Sequence, residues 1–295
     1  MTSRSGTSIA TCPACGSTAT HLIKPQLYGD CALLRCDACG SELLSPQPSD
    51  ARLTEIYGPD YYEPWAAETA DVVDSIKRQT FAPLIDACGL TVGSTVLDLG
   101  CATGSFLAEA TSRGARGYGI DLNADAIATA RDRLPDVVLH AGIAADQPFP
   151  GVQFDAIVMV DFIEHVREPE AELRIVRDWM HDESRLVVST PRADSSLRRL
   201  MGMRWPQYRE EHLAYLSRAG VVALMSRAGL RVESIRPTRK TLTLAYAYGQ
   251  MTTYPVPGLA AVTSAAYRAL PGLRHRPIRV GLGEMTVVAR RGGAG

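Results

Sequence analysis

From residue 95 onward, short apolar runs alternate with longer stretches in which apolar residues recur every three or four positions. The runs TVLDL (95–99), RGYGID (116–121), VVLHA (137–141), DAIVMV (155–160), RLVVST (185–190) and RVESI (231–235) read as strands, with GEMTVVAR (283–290) as one more. Segments 104–113, 123–133 and 168–181 read as the helices between them. This alternation predicts an α/β fold, a doubly wound and mostly parallel seven-stranded sheet covered by helices on both faces. Upstream, Val72, Val73, Ile76, Phe81, Leu84 and Ile85 form the apolar side of a helix over 66–88. Residues 46–65 are rich in proline and aromatics and read as a connector. The run GLAAVTSAAYRAL (258–270) lies in an insertion at about 240–280 that reads as either a lid or a dimer contact.

Two places break this pattern with ionisable residues. VLDLGCATG puts Asp98, Gly100, Cys101 and Gly104 at a strand-to-helix turn, where glycine lets backbone approach a ligand and a helix N-terminus follows. The next strand ends at Asp121 and Leu122, with Asp121 standing 21 residues after Gly100, where a carboxylate suits a ribose diol. An acid inside the loop repels a pyrophosphate and favours a cationic ligand. The second place is DAIVMVDFIEHV, where a buried strand runs directly into Asp161, Glu164 and His165. The C-terminal end of such a strand opens into the ligand crevice. The same spacing also reads as a capping box, Asp161 as the N-cap and Glu164 three residues on.

The N-terminal 45 residues carry Cys12-x-x-Cys15 and Cys36-x-x-Cys39, twenty residues apart, which is zinc-ribbon spacing. Four thiolates close the coordination shell, so a zinc ion there is structural. Cys31, Cys88 and Cys101 are then small buried residues. A hydrophobic share of 46% supports a full core, and a net charge of −1 with no basic run argues against a nucleic-acid partner. The chain shows neither a signal-peptide pattern nor an apolar stretch of membrane-spanning length, which predicts a cytoplasmic protein with no membrane partner.

VLDLGCATG, GID and FDAIVMVDFIEHV, in that order and at these intervals, resemble the first, second and fourth motifs of class I S-adenosylmethionine-dependent methyltransferases. The likeness spans about 80–295. With the cysteine pairs and YGPDYYE it extends to the branch that carries an N-terminal zinc-ribbon-like segment and methylates sugars, quinone-like rings and natural products. It implies a Rossmann-like methyltransferase domain over 93–295, preceded by the ribbon (1–45) and an aromatic connector and helix (46–92). It also implies S-adenosylmethionine bound by Asp98, Gly100, Cys101, Gly104, Asp121, Leu122 and Asp161.

Two positions depart from the family pattern. Ala102 stands where a middle glycine is usual, and Ile143, with Ala144 beside it, stands where an acid usually meets the adenine, leaving backbone NH or Asp146 for that contact. The acceptor end is expected to use His212 or His165 as base, with Asp161 and Glu164 nearby. Some relatives with an acid–histidine pair here hold a divalent ion, so Asp161, Glu164, His165 and His212 are also candidate ligands for Mg²⁺ or a similar ion. Trp205 and Tyr208, with Arg204 and Arg209, are candidate lining of the acceptor pocket. Tyr57, Tyr61, Tyr62 and Trp65 are either a staple between ribbon and sheet or a lid. The expected reaction is methyl transfer to a hydroxyl of a small-molecule acceptor. Transfer to carbon or nitrogen, a zinc-ribbon RNA methyltransferase and a non-catalytic cofactor-binding module are the alternatives.

Overall fold

The computed structural model describes residues 11–58, 70–253, 256 and 258–293. The chain opens with an antiparallel ribbon, β1 (Thr20–Tyr28), β2 (Cys31–Cys36) and β3 (Glu42–Ser45), followed by α1 (Asp50–Ile56) and α2 (Ala70–Cys88). Then come β4 (Thr95–Leu99), α3 (Ser105–Ser112), β5 (Arg116–Asp121), α4 (Ala124–Arg133), β6 (Val138–Ala141), β7 (Phe154–Val160), α5 (Pro169–Asp178) and β8 (Met180–Pro191). The remainder is α6 (Ser196–Met201), β9 (Ala214–Tyr215), α7 (Arg218–Arg227), β10 (Leu230–Leu242), α8 (Leu244–Thr253), α9 (Leu259–Ala269) and β11 (Ile278–Arg291).

The large sheet has the order β10-β11-β8-β7-β4-β5-β6. Strands β4 to β8 pair in parallel, and β11 alone runs against its neighbours. Side chains alternate between its two faces as a strand's period of two requires. Leu97, Leu99, Ile157, Met159, Leu186 and Val188 pack with α5 and α7 through Leu173, Val176, Val221 and Leu224. Val96, Ala156, Val158 and Val187 pack with α2, α3 and α4 through Leu84, Ile85, Phe106, Leu107 and Ile127. Burial on both faces is why these strands read as unbroken apolar runs.

Three boundaries differ from the pattern-based reading. The helix expected over 168–181 ends at Asp178, because Met180 and His181 already belong to β8. The connector holds a true helix, α1, capped by Ser49, whose Oγ accepts from Arg52 N at 3.2 Å. The insertion is two helices, α8 and α9, between the long strands β10 and β11, joined by a stacked Tyr248–Tyr267 pair with centroids 4.3 Å apart. Tyr61, Tyr62 and Trp65 lie outside the described residues. Among the described residues no helix is long and apolar enough to cross a membrane.

The ribbon is not a separate appendage. Its last strand, β3, pairs with β9 of the large domain (Glu42↔Tyr215, Leu43↔Ala214). Leu33 and Leu44 of the ribbon share a core with Trp205, Tyr208 and Tyr215. At the ribbon's tip Cys12, Cys15, Cys36 and Cys39 converge, one Sγ from each lying within 4.8 Å of the others.

Candidate active site

The turn after β4 carries the first half of the site. Gly100, Ala102 and Gly104 all have left-handed backbone, with φ of 79°, 46° and 77°. A Cβ on Gly100 would stand 2.7 Å from the Phe162 ring, so only glycine fits there. Asp121, at the end of β5, ties the turn down: Oδ2 accepts from Ala102 N at 2.8 Å and Oδ1 from Asn123 N at 2.9 Å. Asp98, only 3% exposed, lies beneath it, and burial together with the Asp121 charge pushes its carboxyl up to about 8. The Asp121 carboxylate at the mouth of a backbone cradle, with the buried Asp98 carboxyl held largely protonated below it, suits a cationic ligand with hydroxyl groups and not a phosphate. Leu122 beside them is 72% exposed, so its side chain offers an open apolar surface.

Ala102 is a residue with a Cβ in a left-handed position. That conformation costs roughly 1–2 kcal/mol, while glycine would add about 0.4–1 kcal/mol of unfolded-chain entropy. Ala102→Gly is therefore expected to stabilise the protein by about 0.5–1 kcal/mol in urea unfolding, and a loss of stability would contradict the strain. After β6, Asp146 Oδ2 accepts from Ile143 N at 2.9 Å and lies 3.0 Å from His140 Nε2. Asp146 thus spends an oxygen on its own turn, which also uses up the Ile143 NH.

The second half sits beyond β7. Asp161 has φ +50° and caps nothing: the following short 3₁₀ turn, Ile163–His165, has Phe162 at its N-cap with no side-chain bond. The capping-box reading therefore fails, because the Asp161 carboxylate is turned to Lys240 Nζ at 2.6 Å. Lys240 also contacts Glu284 Oε1 at 2.8 Å, and Gln207 Nε2 donates to the same oxygen at 2.6 Å. Burial opposes the Lys240 charge, yet the two carboxylates hold its ammonium above the usual lysine range. Asp161 Oδ1 and Glu284 Oε2 are buried with no hydrogen-bond partner among the described residues.

Glu164, His165 and His212 meet beside this ion cluster. Each offers one ligand atom within 4.8 Å of the others, and the two imidazoles cross edge to face at 4.7 Å. His212 Nδ1 is 2.8 Å from the Gln207 carbonyl. A carbonyl only accepts, so Nδ1 carries the proton and Nε2 keeps its lone pair. His165 Nδ1 is 3.1 Å from the Glu211 carbonyl and 2.8 Å from the Tyr57 hydroxyl, which fixes the same tautomer. Burial pushes His165 down to about 4 and His212 well below the ordinary histidine range, while it drives Glu164 well above the ordinary glutamate range. Glu164 accepts from Thr190 Oγ1 at 2.9 Å, and its Oε1 has no partner among the described residues.

Several expected site residues serve other ends. Trp205 and Tyr208 are 2% and 8% exposed; Tyr208 Oη donates to Glu42 of the ribbon and Trp205 Nε1 to the Leu282 carbonyl of β11, so both polar groups are spent within the fold. Arg209 reaches Gln250 of α8 at 3.3 Å. Sequence reasoning missed Lys240, Glu284, Gln207 and the Tyr57 contact. The one available signal was Lys240 itself, one of three lysines in the chain and set in the strand-like TRKTLTL.

A methyltransferase-domain family profile matches residues 73–235. The N,N-dimethyltransferase of dTDP-3-amino-3,4,6-trideoxy-alpha-D-glucopyranose from Streptomyces venezuelae is 34% identical over 101 residues, 34% of this chain and 36% of that protein. The ubiquinone biosynthesis O-methyltransferase of Pseudomonas paraeruginosa is 30% identical over 134 residues, 39% of this chain and 56% of that protein. The chain thus spans between a third and about half of the length of these curated relatives. Among solved structures, magnesium protoporphyrin IX methyltransferase from Synechocystis PCC 6803, with bound S-adenosylhomocysteine, superposes with a TM-score of 0.53 at 16% identity, covering 82% of this chain and all of that one. The cradle after β4, the acids Asp98 and Asp121, and a family match over more than half the chain lead to one assignment: this protein belongs to the class I S-adenosylmethionine-dependent methyltransferases.

Proposed function

We propose that this enzyme methylates a hydroxyl of a small polar acceptor, a sugar or a secondary metabolite, with His212 as the proton acceptor. The supporting observation is that His212, His165 and Glu164, drawn from two distant segments, bring one nitrogen or oxygen each to within 4.8 Å of one another at the end of β7. S-adenosylmethionine supplies an electrophilic methyl on a sulfonium that departs as a neutral thioether. The chain's part is to hold the two reactants in line, which is worth roughly 7–11 kcal/mol, and to take the hydroxyl proton. Asp121 would accept the ribose hydroxyls, and Gly100, Cys101 and Gly104 would line the cofactor's backbone cradle. His212 Nε2, the ring nitrogen turned away from the Gln207 carbonyl, would receive the proton, with Gln207 fixing its tautomer and His165 packed against its ring. The ubiquinone biosynthesis O-methyltransferase relative supports transfer to oxygen, and the sugar N,N-dimethyltransferase relative keeps transfer to nitrogen as the competing chemistry. The near-neutral chain fits a small-molecule acceptor better than nucleic acid.

Two metals enter this reading. The four converging thiols suit a structural zinc, since one sulfur from each of four cysteines can close a tetrahedral shell. Glu164, His165 and His212 also suit a divalent ion, which would acidify a bound hydroxyl. Asp161 drops out of that ligand set because Lys240 holds its Oδ2.

The test couples binding to turnover. Calorimetry with S-adenosylmethionine should show Asp121→Ala weakening affinity by about 2–3 kcal/mol, roughly 30–150-fold. Release of S-adenosylhomocysteine with a panel of sugar and phenolic acceptors should show His212→Ala lowering kcat by about 10²–10⁴-fold. Methylation confined to nitrogen or carbon, or a His212→Ala enzyme at full rate, would refute the hydroxyl reading. Loss of rate on chelation at an intact cysteine centre would select the metal-assisted form.

A further inference from the structure

The cysteine centre and the candidate catalytic groups are joined by a short path of hydrogen bonds and the backbone between them. Ser217 Oγ donates to the Cys39 carbonyl at 2.5 Å, and Ser217 N donates to Ser41 Oγ at 3.1 Å. β9, two residues long, ends at Tyr215 with Leu216 between it and Ser217, and its ladder partner among the described strands is ribbon strand β3. Leu44 N of β3 donates to the Leu213 carbonyl at 3.0 Å. Leu213 N donates in turn to the Glu164 carbonyl at 2.8 Å, and His212 is the residue before it. Glu42 of β3, with a side chain 0% exposed, takes Arg35 at 2.5 Å, Arg198 at 2.5 Å and the Tyr208 hydroxyl at 2.6 Å. Tyr208 lies in the same loop as Gln207, whose carbonyl sets the His212 tautomer.

A loop of this kind has little order of its own. Residues 205–213 contain no regular element, and a two-residue strand cannot persist without its partner. The loop is tied to the large domain through Leu213 N to the Glu164 carbonyl, Gln207 Nε2 to Glu284 and Ala193 N to the Leu216 carbonyl, but the strand that pairs with β9 is β3, and β3 belongs to a three-stranded ribbon closed at its tip by four cysteines.

We propose that the cysteine-bound ion governs the order of the 205–217 loop, so that the ribbon positions His212 and Glu164 without touching substrate or cofactor. This goes beyond a structural role confined to residues 11–45. It rests on the proposed catalytic use of His212 only for its consequence for turnover; the coupling itself is independent of any acceptor.

The test is hydrogen exchange read by mass spectrometry on the full chain, metal-loaded and after dialysis against a chelator under reducing conditions. Removing the ion should raise exchange in 205–217 by about tenfold or more. Peptides from 95–121 should keep their protection, and calorimetric affinity for S-adenosylmethionine should stay within about threefold. Unchanged protection of 205–217 while 31–45 exchanges freely would overturn the coupling, as would parallel loss across 95–121, which would mean general unfolding. Ser217→Ala, with its metal retained, supplies a milder arm: because Ser217 Oγ also caps α7 through Gly220 N, the readout is exchange at 205–213, which should rise by about threefold, and no change there would overturn the Ser217 link. Where an acceptor is in hand, the metal-free enzyme should lose kcat with its KM for cofactor unmoved.

Discussion

Cys36→Ser, or removal of the ion from the four-cysteine centre, is expected to unfold the ribbon as a unit. The ribbon's own core is small: Cys31, Leu33 and Leu44 are its buried apolar contributions to the interface with Trp205 and Tyr215. β1 is half-buried to exposed along its whole length. Three such strands do not bury enough apolar surface to offset the entropy of ordering their chain. A structural zinc site contributes roughly 10–16 kcal/mol of binding free energy that is available only to the folded form. Its loss exceeds anything the Leu33 and Leu44 contacts can replace at about 1.5–3 kcal/mol each. Limited proteolysis should therefore find new cleavage within 11–45 once the ion is gone, with the 95–191 region intact. Because thiolates must be deprotonated to bind, the same transition should appear in metal-loaded protein as pH falls. Protease resistance of the ribbon in the chelated protein would show that its strands stand without metal.

The strands of the large sheet were legible because burial on two faces leaves no polar positions to blur the pattern, as in DAIVMV of β7. The cradle was legible because Asp98, Gly100 and Asp121 are close in sequence and fixed in spacing by strand, turn and strand. What escaped was long-range. β9 is the dipeptide Ala214–Tyr215, too short to carry any periodicity, so nothing along the chain announced that the ribbon continues into the large domain. Asp161 and Glu164 have capping-box spacing, but the left-handed backbone at Asp161 turns its side chain away from the helix direction. That turn was set by a lysine 79 residues further on, on a strand that reaches the site only through an antiparallel pairing with β11. Trp205 and Tyr208 looked like pocket lining for a related reason: aromatic and polar character is the same in an acceptor pocket and in an interface, and only Glu42 on the ribbon decides between them.

Lys240→Met is expected to destabilise the protein by about 2–4 kcal/mol, because it leaves carboxylates buried without their cation. Breaking a fully buried pair typically costs roughly 3–5 kcal/mol. The figure is reduced here because the Asp161 side chain is 39% exposed and gains water. Glu284 carries most of the cost: its side chain is 1% exposed, and Gln207 is its one other donor among the described residues. The pH dependence has a definite sign. Burial already raises the Glu284 carboxyl, and Lys240, ahead of Gln207, is the main group that lowers it, so the substitution raises it further. The folded variant then holds a proton at pH values where the unfolded chain, near 4.3, has lost it. Stability of Lys240→Met should consequently improve as pH falls through the folded value and be poorest at neutral pH and above. Adding Glu284→Gln removes the stranded charge, and urea unfolding of the double variant should recover most of the loss. If the double variant proves as unstable as the single one, the lysine's contribution is its packing and not the pairing of charge at the end of β7.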